Sequence, residues 1–404
     1  MRAVLLLTAA LVLPACANEA DGASDAAAPA ASAQRQAADG QATAEAPSDA
    51  PGLPPFETAV IADLEEPWAM TFLPDGRMLV TEKPGRLRVV TQDGDISAPV
   101  SGVPSVDYGG QGGLGDVVLA PDYATSGLVY LTFAEAGEGD TRGAAMARGR
   151  LDPDALTLTE VETIWRQVPK VTGQGHYGHR VAFSPDGQYL FVTSGERQMF
   201  DPAQDLSTNL GGILRLNPDG SAAAGNPFAD QGSPADERWT MGNRNPLGLA
   251  FDADGVLWEH EMGPKGGDEF QRVERGANYG YPIVSDGDHY DGEIIPDHDT
   301  RPGEFRDPDE VWNPVISPAG LVIYQGDAFP DWQGRALIGG LSSQALIVTT
   351  FDCPDRGREI CEETRYDMGA RIREVEEGPD GSVWILEDER RGSAGRLLQL
   401  TPRG

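Results

Sequence analysis

The chain carries five histidines, so the position of each one is informative. Two of them, His176 and His179, lie in Gly173-Gln174-Gly175-His176-Tyr177-Gly178-His179-Arg180. An imidazole titrates near neutral pH and suits proton transfer. Zinc would ask for a helix and a third ligand nearby, and the surrounding glycines deny the helix. Taken alone, a loop histidine can equally be a surface residue. Arg244 and Asn245 stand in Met241-Gly242-Asn243-Arg244-Asn245-Pro246. A planar guanidinium beside an amide suits an anion or a quinone oxygen, and equally suits loop hydrogen bonding. The run from Glu259 to Glu269 gathers carboxylates with the carbonyls of Gly263 and Pro264. Hard oxygen donors of this kind select calcium, although the spacing is not that of an EF-hand. Arg371 and Arg373 flank Ile372. Residues two apart on a strand share a face, so these cations repel unless solvent or a bound polycarboxylate separates them.

These groups need a scaffold, and one recurring phrase supplies it. An apolar strand end, then Pro-Asp-Gly, then a β-rich run appears at Phe72-Leu73-Pro74-Asp75-Gly76 and Phe183-Ser184-Pro185-Asp186-Gly187. It returns as Phe251-Asp252-Ala253-Asp254-Gly255 and Glu377-Gly378-Pro379-Asp380-Gly381, with a looser copy at Ala120-Pro121-Asp122. Proline sets the first turn angle, aspartate bonds back to the backbone and glycine accepts a positive φ. Each copy therefore predicts a hairpin. Hairpins spread in this way, without a sustained helical period, predict an all-β fold, a six-bladed β-propeller. An ordinary β-sandwich reusing a common turn is the plainer alternative.

Composition agrees. Fifty glycines and 31 prolines punctuate many short elements. The net charge of −33 argues against nucleic acid and against an anionic membrane surface as partners. Residues 1–15 read as a secretory leader closing on Leu13-Pro14-Ala15-Cys16, which resembles a bacterial lipobox with Cys16 as the lipidated residue. Residues 16–52 lack aromatics and read as a disordered linker, leaving 53–404 as the folded body. This places the protein on the periplasmic side of a bacterial membrane, held by its lipid. Cys353 and Cys361 lack further soft ligands for zinc and are expected to form a disulfide there.

Together, Pro67-Trp68-Ala69-Met70, Gly110-Gln111-Gly112-Gly113-Leu114, His176 to Arg180, Ala203-Gln204-Asp205-Leu206-Ser207, Gly242 to Pro246, Glu259 through Gly280 and Arg371-Ile372-Arg373 resemble one family in order. It is the family of soluble pyrroloquinoline quinone (PQQ)-dependent aldose and glucose dehydrogenases, and the resemblance runs from about Pro67 to Leu400. It implies a six-bladed propeller with PQQ over its top face and oxidation of an aldose at the anomeric carbon to a lactone. It implies that His176 is the general base and binds at the cofactor, that Arg244 stabilises charge on the quinone, and that Asn245 contacts the cofactor. Gln111, Arg371 and Arg373 would hold its carboxylates and carbonyls. Ca²⁺ would sit on the carbonyls of Gly263 and Pro264, and a second, structural Ca²⁺ on Glu269 and the carbonyl of Tyr279.

The chain also departs from the glucose branch. Glu196, in Thr193-Ser194-Gly195-Glu196, stands where that branch orients the catalytic histidine with an aspartate, and looks more like the broad aldose branch. The Lys and Thr that the glucose branch places on PQQ are missing from 340–344 and 313–316. A calcium-dependent propeller hydrolase of lactonase type would not need Arg244, Arg371 and Arg373 around a quinone. A non-enzymatic propeller lipoprotein would not need His176, Glu196, Arg244 and Arg373 in one pocket. The electron acceptor, a quinone or a cytochrome, is not written in the sequence.

Overall fold

A computed structural model describes residues 53–351 and 362–404. The expectations placed on the leader, the linker, Cys16, Cys353 and Cys361 fall outside the described residues.

The Pro-Asp-Gly phrases fold as their turn chemistry predicts. At the first, the Leu73 N–H donates to the Arg77 carbonyl at 2.7 Å and the Gly76 N–H donates to the Leu73 carbonyl at 2.9 Å. Gly76 has a φ of +86°, and the Asp75 carboxylate accepts the Arg77 N–H at 3.0 Å. The turn joins Pro67–Phe72 to Met78–Glu82, which pair antiparallel. The other copies join Leu114–Leu119 to Leu128–Ala136, Gly178–Phe183 to Leu190–Ser194, Pro246–Phe251 to Leu257–Glu261 and Ile372–Glu377 to Val383–Glu387.

Each of these hairpins is the inner half of a blade. Blade 1 adds Arg86–Val90, and blade 2 adds Arg142–Asp152 and Thr157–Arg166. Blade 3 adds Gly212–Leu216, while blade 4 adds Asp268–Arg272 and Glu310–Trp312. Blade 5 runs Pro318–Ile323, Ala336–Gly340, Ala345–Thr349 and Glu363–Asp367. It makes its inner connection through Tyr324 to Arg335 without the motif, which is why the phrase skips one repeat. Blade 6 adds Arg396–Pro402 and is completed by Phe56–Asp63 from the other end of the body. The six first strands neighbour one another in a closed ring, giving the expected six-bladed propeller.

Apolar burial follows the same plan. Each interface between neighbouring blades has its own cluster, such as Leu79, Leu87, Val117 and Leu131 between blades 1 and 2. Trp258, Phe270, Ile338 and Ile347 fill the space between blades 4 and 5. Most of the core lies between neighbouring blades, with a small cluster of Trp68, Ala69 and Leu247 joining blade 1 to blade 4.

The hairpins occupy one face. The opposite face therefore receives the starts of the six first strands and the ends of the six second strands. Gln111, His176, Glu196, Arg244, Asn245, Gly263, Pro264, Arg371 and Arg373 fall at such places, while Glu269 lies near the start of the third strand of blade 4 and Tyr279 in the connection after it.

Candidate active site

His176 and Glu196 are built by blade 3. His176 ends the loop before Gly178–Phe183, and Glu196 follows Leu190–Ser194 by two residues. His176 has a φ of +49°, a conformation that non-glycine residues seldom adopt and that suggests local strain held by its surroundings. Gly195 is required here, because a Cβ on it would lie 2.2 Å from the His176 carbonyl oxygen. The close approach sets Glu196 Oε1 against His176 Nδ1. Glu196 Oε2 accepts the Phe200 N–H at 2.7 Å, and the His176 N–H donates to Gln111 Oε1 at 2.8 Å.

Both members of the pair are buried, with side-chain exposures of 7% for His176 and 0% for Glu196. Burial and then the Arg244 charge push His176 below its ordinary value, against the opposing pull of Glu196. Burial pushes Glu196 up, but His176, Arg244 and the Phe200 N–H outweigh it and hold the carboxyl below its usual range. An ionised Glu196 fixes the neutral tautomer with its proton on Nδ1, leaving the Nε2 lone pair as a base.

Blade 4 brings Arg244 and Asn245 alongside. The Glu196 N–H donates to the Arg244 carbonyl at 3.0 Å, and Asn245 Oδ1 accepts the Gly178 N–H at 3.2 Å. Glu261 accepts the backbone N–H of both Arg244 and Asn245. Arg244 Nη1 donates to the Met262 carbonyl at 2.8 Å. Its Nε is buried without an acceptor among the described residues. Burial opposes its charge, but Tyr281, Tyr290 and Glu196 outweigh that and keep it cationic.

Arg371 and Arg373 do share a face, and the chain itself supplies part of the anion they demand. Asp388 lies between them, accepting from Arg371 Nε at 2.8 Å and from Arg373 Nη2 at 3.0 Å. Burial works against the charge on Asp388, but the two guanidinium groups prevail and hold it well below the usual carboxylate range. Arg373 Nε remains buried without an acceptor among the described residues. The sequence reading did not pick out Asp388 or Lys83. Each stands seven residues after its hairpin glycine, Gly381 and Gly76, at the end of a second strand. That shared offset is the signal that could have found them.

The residues named for calcium all belong to blade 4. Gly263 and Pro264 follow Met262, which holds Arg244, and the Gly263 N–H donates to Asp268 Oδ1 at 2.9 Å. A Cβ on Gly263 would lie 2.2 Å from the carbonyl oxygens of both Gly266 and Gly267, so the turn is lined with hard oxygens. Glu261 and Glu269 stand directly opposite each other on paired strands, an arrangement that like charges disfavour. Burial pushes Glu261 up to about 7 and raises Glu269 well above its ordinary value. Glu269 also shares a cluster with Asp286 and His298, whose ligand atoms lie within 4.8 Å of one another. His298 Nε2 lies 2.9 Å from the Tyr279 carbonyl and Nδ1 lies 3.0 Å from Asp286. Glu269 and the Tyr279 carbonyl therefore meet at one ring, and Asp286 and His298 are partners the sequence reading missed. Glu269, Asp286 and the Tyr279 carbonyl are hard oxygen donors of the kind calcium takes. The His298 ring, which burial pulls down but Asp286 and Glu269 raise to about 9, holds that carbonyl in this structure.

Residues 64–399 match the Glucose / Sorbosone dehydrogenase family. Aldose sugar dehydrogenase YliI of Escherichia coli (strain K12) is 39% identical over 348 residues, covering 84% of this chain and 91% of that protein. The crystal structure of the soluble aldose sugar dehydrogenase from Escherichia coli in the apo-form superposes with a TM-score of 0.80 at 38% identity, over 86% of this chain and 100% of that one. The PQQ-bound aldose sugar dehydrogenase from Streptomyces coelicolor gives a TM-score of 0.68 at 27% identity, over 86% and 98%. A six-bladed propeller with a histidine–carboxylate pair beside a buried guanidinium thus has a class, and the chain belongs to the glucose/sorbosone dehydrogenase family.

Proposed function

We propose that this protein is a PQQ- and calcium-dependent dehydrogenase that oxidises aldoses at the anomeric carbon to lactones. One observation carries the reading: Glu196 holds the Nδ1 side of a buried, neutral His176, and the Arg244 charge acts on the same ring. The related sugar dehydrogenases, one of them PQQ-bound, support it. The orphaned Nε atoms of Arg244 and Arg373, with the excess of cations at blades 6 and 1, fit an acidic, carbonyl-rich cofactor.

PQQ, when bound, supplies the electron-pair acceptor that takes hydride from the anomeric C–H. The chain does the rest. His176 Nε2 accepts the proton of the anomeric hydroxyl, so the C–O bond becomes a carbonyl as the hydride leaves. Glu196 holds the tautomer and offsets the imidazolium charge. Arg244 is fixed by Met262 and Glu261, preorganised against charge on the quinone oxygen. Asn245 would contact the cofactor, and Gln111, Arg371 and Arg373 would hold its carboxylates and carbonyls. The carbonyls of Gly263 and Pro264 would hold Ca²⁺ as a Lewis acid, and Glu269 with the Tyr279 carbonyl would hold the structural ion. On the sequence evidence, Cys16 anchors the protein by lipid on the periplasmic side, behind the 1–15 leader and the 16–52 linker.

The test is reconstitution. Purified apo-protein, assayed with an aldose and an artificial electron acceptor, gains activity only when PQQ and calcium are both added. Turnover with a nicotinamide alone, or no response to PQQ, overturns the reading.

A further inference from the structure

Lys83 ends the second strand of blade 1 on the site face, and its ammonium is buried, with 4% side-chain exposure. Among the described residues it has two oxygen acceptors, the Gly110 carbonyl at 3.0 Å and Glu66 Oε2 at 3.4 Å. Gly110 precedes Gln111, whose side chain holds the His176 backbone. The Arg390 guanidinium donates to the same Gly110 carbonyl. We infer that Lys83 is a further cofactor-binding residue, its ammonium completing with Arg371, Arg373 and Arg390 a cationic cradle for a carboxylate of PQQ. This rests on the reading given under Proposed function.

The charges around Lys83 make the case. Glu66 faces it from the segment leading into blade 1. The Tyr108 ring lies 5.7 Å away, from the connection between blades 1 and 2, with its hydroxyl on Glu66. Blade 6 contributes Arg373 and Asp388, and its connection between Val383–Glu387 and Arg396–Pro402 contributes Arg390. His179 of blade 3 lies within the field of Lys83. Glu389 accepts the Glu66 N–H at 2.6 Å, so four cations gather against three acids, and Asp388 is already shared between Arg371 and Arg373.

This surplus is visible in the lysine itself. Burial, then Arg390 and Arg373, pull it down to about 8, although Glu66 and Asp388 oppose the fall. A bound carboxylate would supply the missing negative charge and hold the proton on. Lys83 also answers an absence in the sequence. Blade 5 offers no lysine at 340–344, and blade 1 presents one to the same face.

The direction with pH follows. The ammonium is charged below about 8 and neutral above, while carboxylates stay ionised throughout. Affinity should be full near pH 7 and fall as the pH rises through 8. The experiment uses the full-length apo-protein with calcium held constant, and follows PQQ binding by quenching of tryptophan fluorescence at about pH 7 and about pH 9.5. Wild type should weaken roughly tenfold over that interval. Lys83→Met should bind roughly tenfold more weakly at pH 7 and change little with pH. Lys83→Arg should bind well at both, since a guanidinium keeps its charge. Rescue and flattening by arginine would not follow from a role limited to propping Gly110. Wild-type affinity in Lys83→Met at pH 7, or a wild-type pH slope in Lys83→Arg, overturns the inference while the functional reading stands. No PQQ binding by wild type overturns both.

Discussion

Glu196 grips the Nδ1 edge of His176 and leaves the other ring nitrogen open. The carboxylate is fully buried, and its second oxygen is taken by the Phe200 N–H. One side chain thereby fixes the base, its tautomer and the loop that follows.

Removing the base should cost chemistry and spare binding. His176→Ala is expected to lower kcat by roughly 10²–10⁴-fold, with PQQ affinity within a few-fold of wild type by fluorescence quenching. Glu196→Gln should lower kcat as well, because an amide no longer offsets the imidazolium. A fully active His176→Ala enzyme would remove His176 from the role.

The acid limb of activity should lie low. Burial and Arg244 hold His176 below 6.5 despite Glu196, so the base stays neutral at pH 7 and protonates only on acidification. The kcat/KM profile should fall as pH drops through a value under 6.5. In Glu196→Gln the limb should move lower still, since the charge favouring protonation is gone. A limb above pH 7 in wild type contradicts the assignment.

Calcium should matter most to stability at higher pH. Glu261 and Asp268 are pushed up to about 7 by burial. The folded apo-protein therefore holds protons that the unfolded chain has released. Their contribution is full below the unfolded carboxyl values, near 4, and is lost as pH rises through 7. A nearby divalent cation reverses that loss. A chelator should lower Tm more at pH 8 than at pH 5.5, and calcium should restore it. Equal shifts at both pH values would refute the argument.

Sugar choice should be broad. Glu196 at the orienting position and the lack of the glucose-branch Lys and Thr motivate this. His176 and Arg244 act at the anomeric centre, and strong rejection of analogues needs buried polar groups matched to the other hydroxyls. Under one acceptor, kcat/KM for glucose, galactose, xylose, arabinose and maltose should lie within about a hundredfold, or ~2.7 kcal/mol in transition-state terms. A larger preference for glucose over every other sugar defeats the claim.

The cysteines give a separate test. Cys16→Ser should move the protein from the membrane to the soluble periplasmic fraction. Reduction and alkylation should report a Cys353–Cys361 bridge by mass. Free thiols at both positions in periplasmic material would exclude the bridge.

Much of the fold was legible because a turn is local chemistry. Proline, aspartate and glycine at Pro74-Asp75-Gly76 specify a hairpin wherever they stand, and the five copies of the phrase mark five of the six blades. Blade 5 escaped because its connection, Tyr324 to Arg335, closes by other means, with Pro330–Trp332 in a short helical turn. In the site, His176, Arg244 and Arg371 were candidates by residue type, and the ordered run of motifs gave them their expected roles. Lys83, Asp388 and His298 were not, since their meaning depends on neighbours far along the chain. Lys83 and Arg373 come together only after the ring closes, and no local pattern records that. The same holds for Asp388, which takes from PQQ part of a task that the two arginines suggested on their own.

The pairing of Phe56–Asp63 with Arg396–Pro402 also sets an order of events during folding. Blade 6 carries Arg371, Arg373 and Asp388, yet its outermost strand is the first strand of the body to leave the ribosome. That strand must wait for the last one, across a span of more than three hundred residues. Contacts so distant in sequence are slow to form. A truncated chain lacking the final strand would leave blade 6 without its third and fourth strands. The blade that carries Arg371, Arg373 and Asp388 is therefore complete only when both distant strands have joined its sheet.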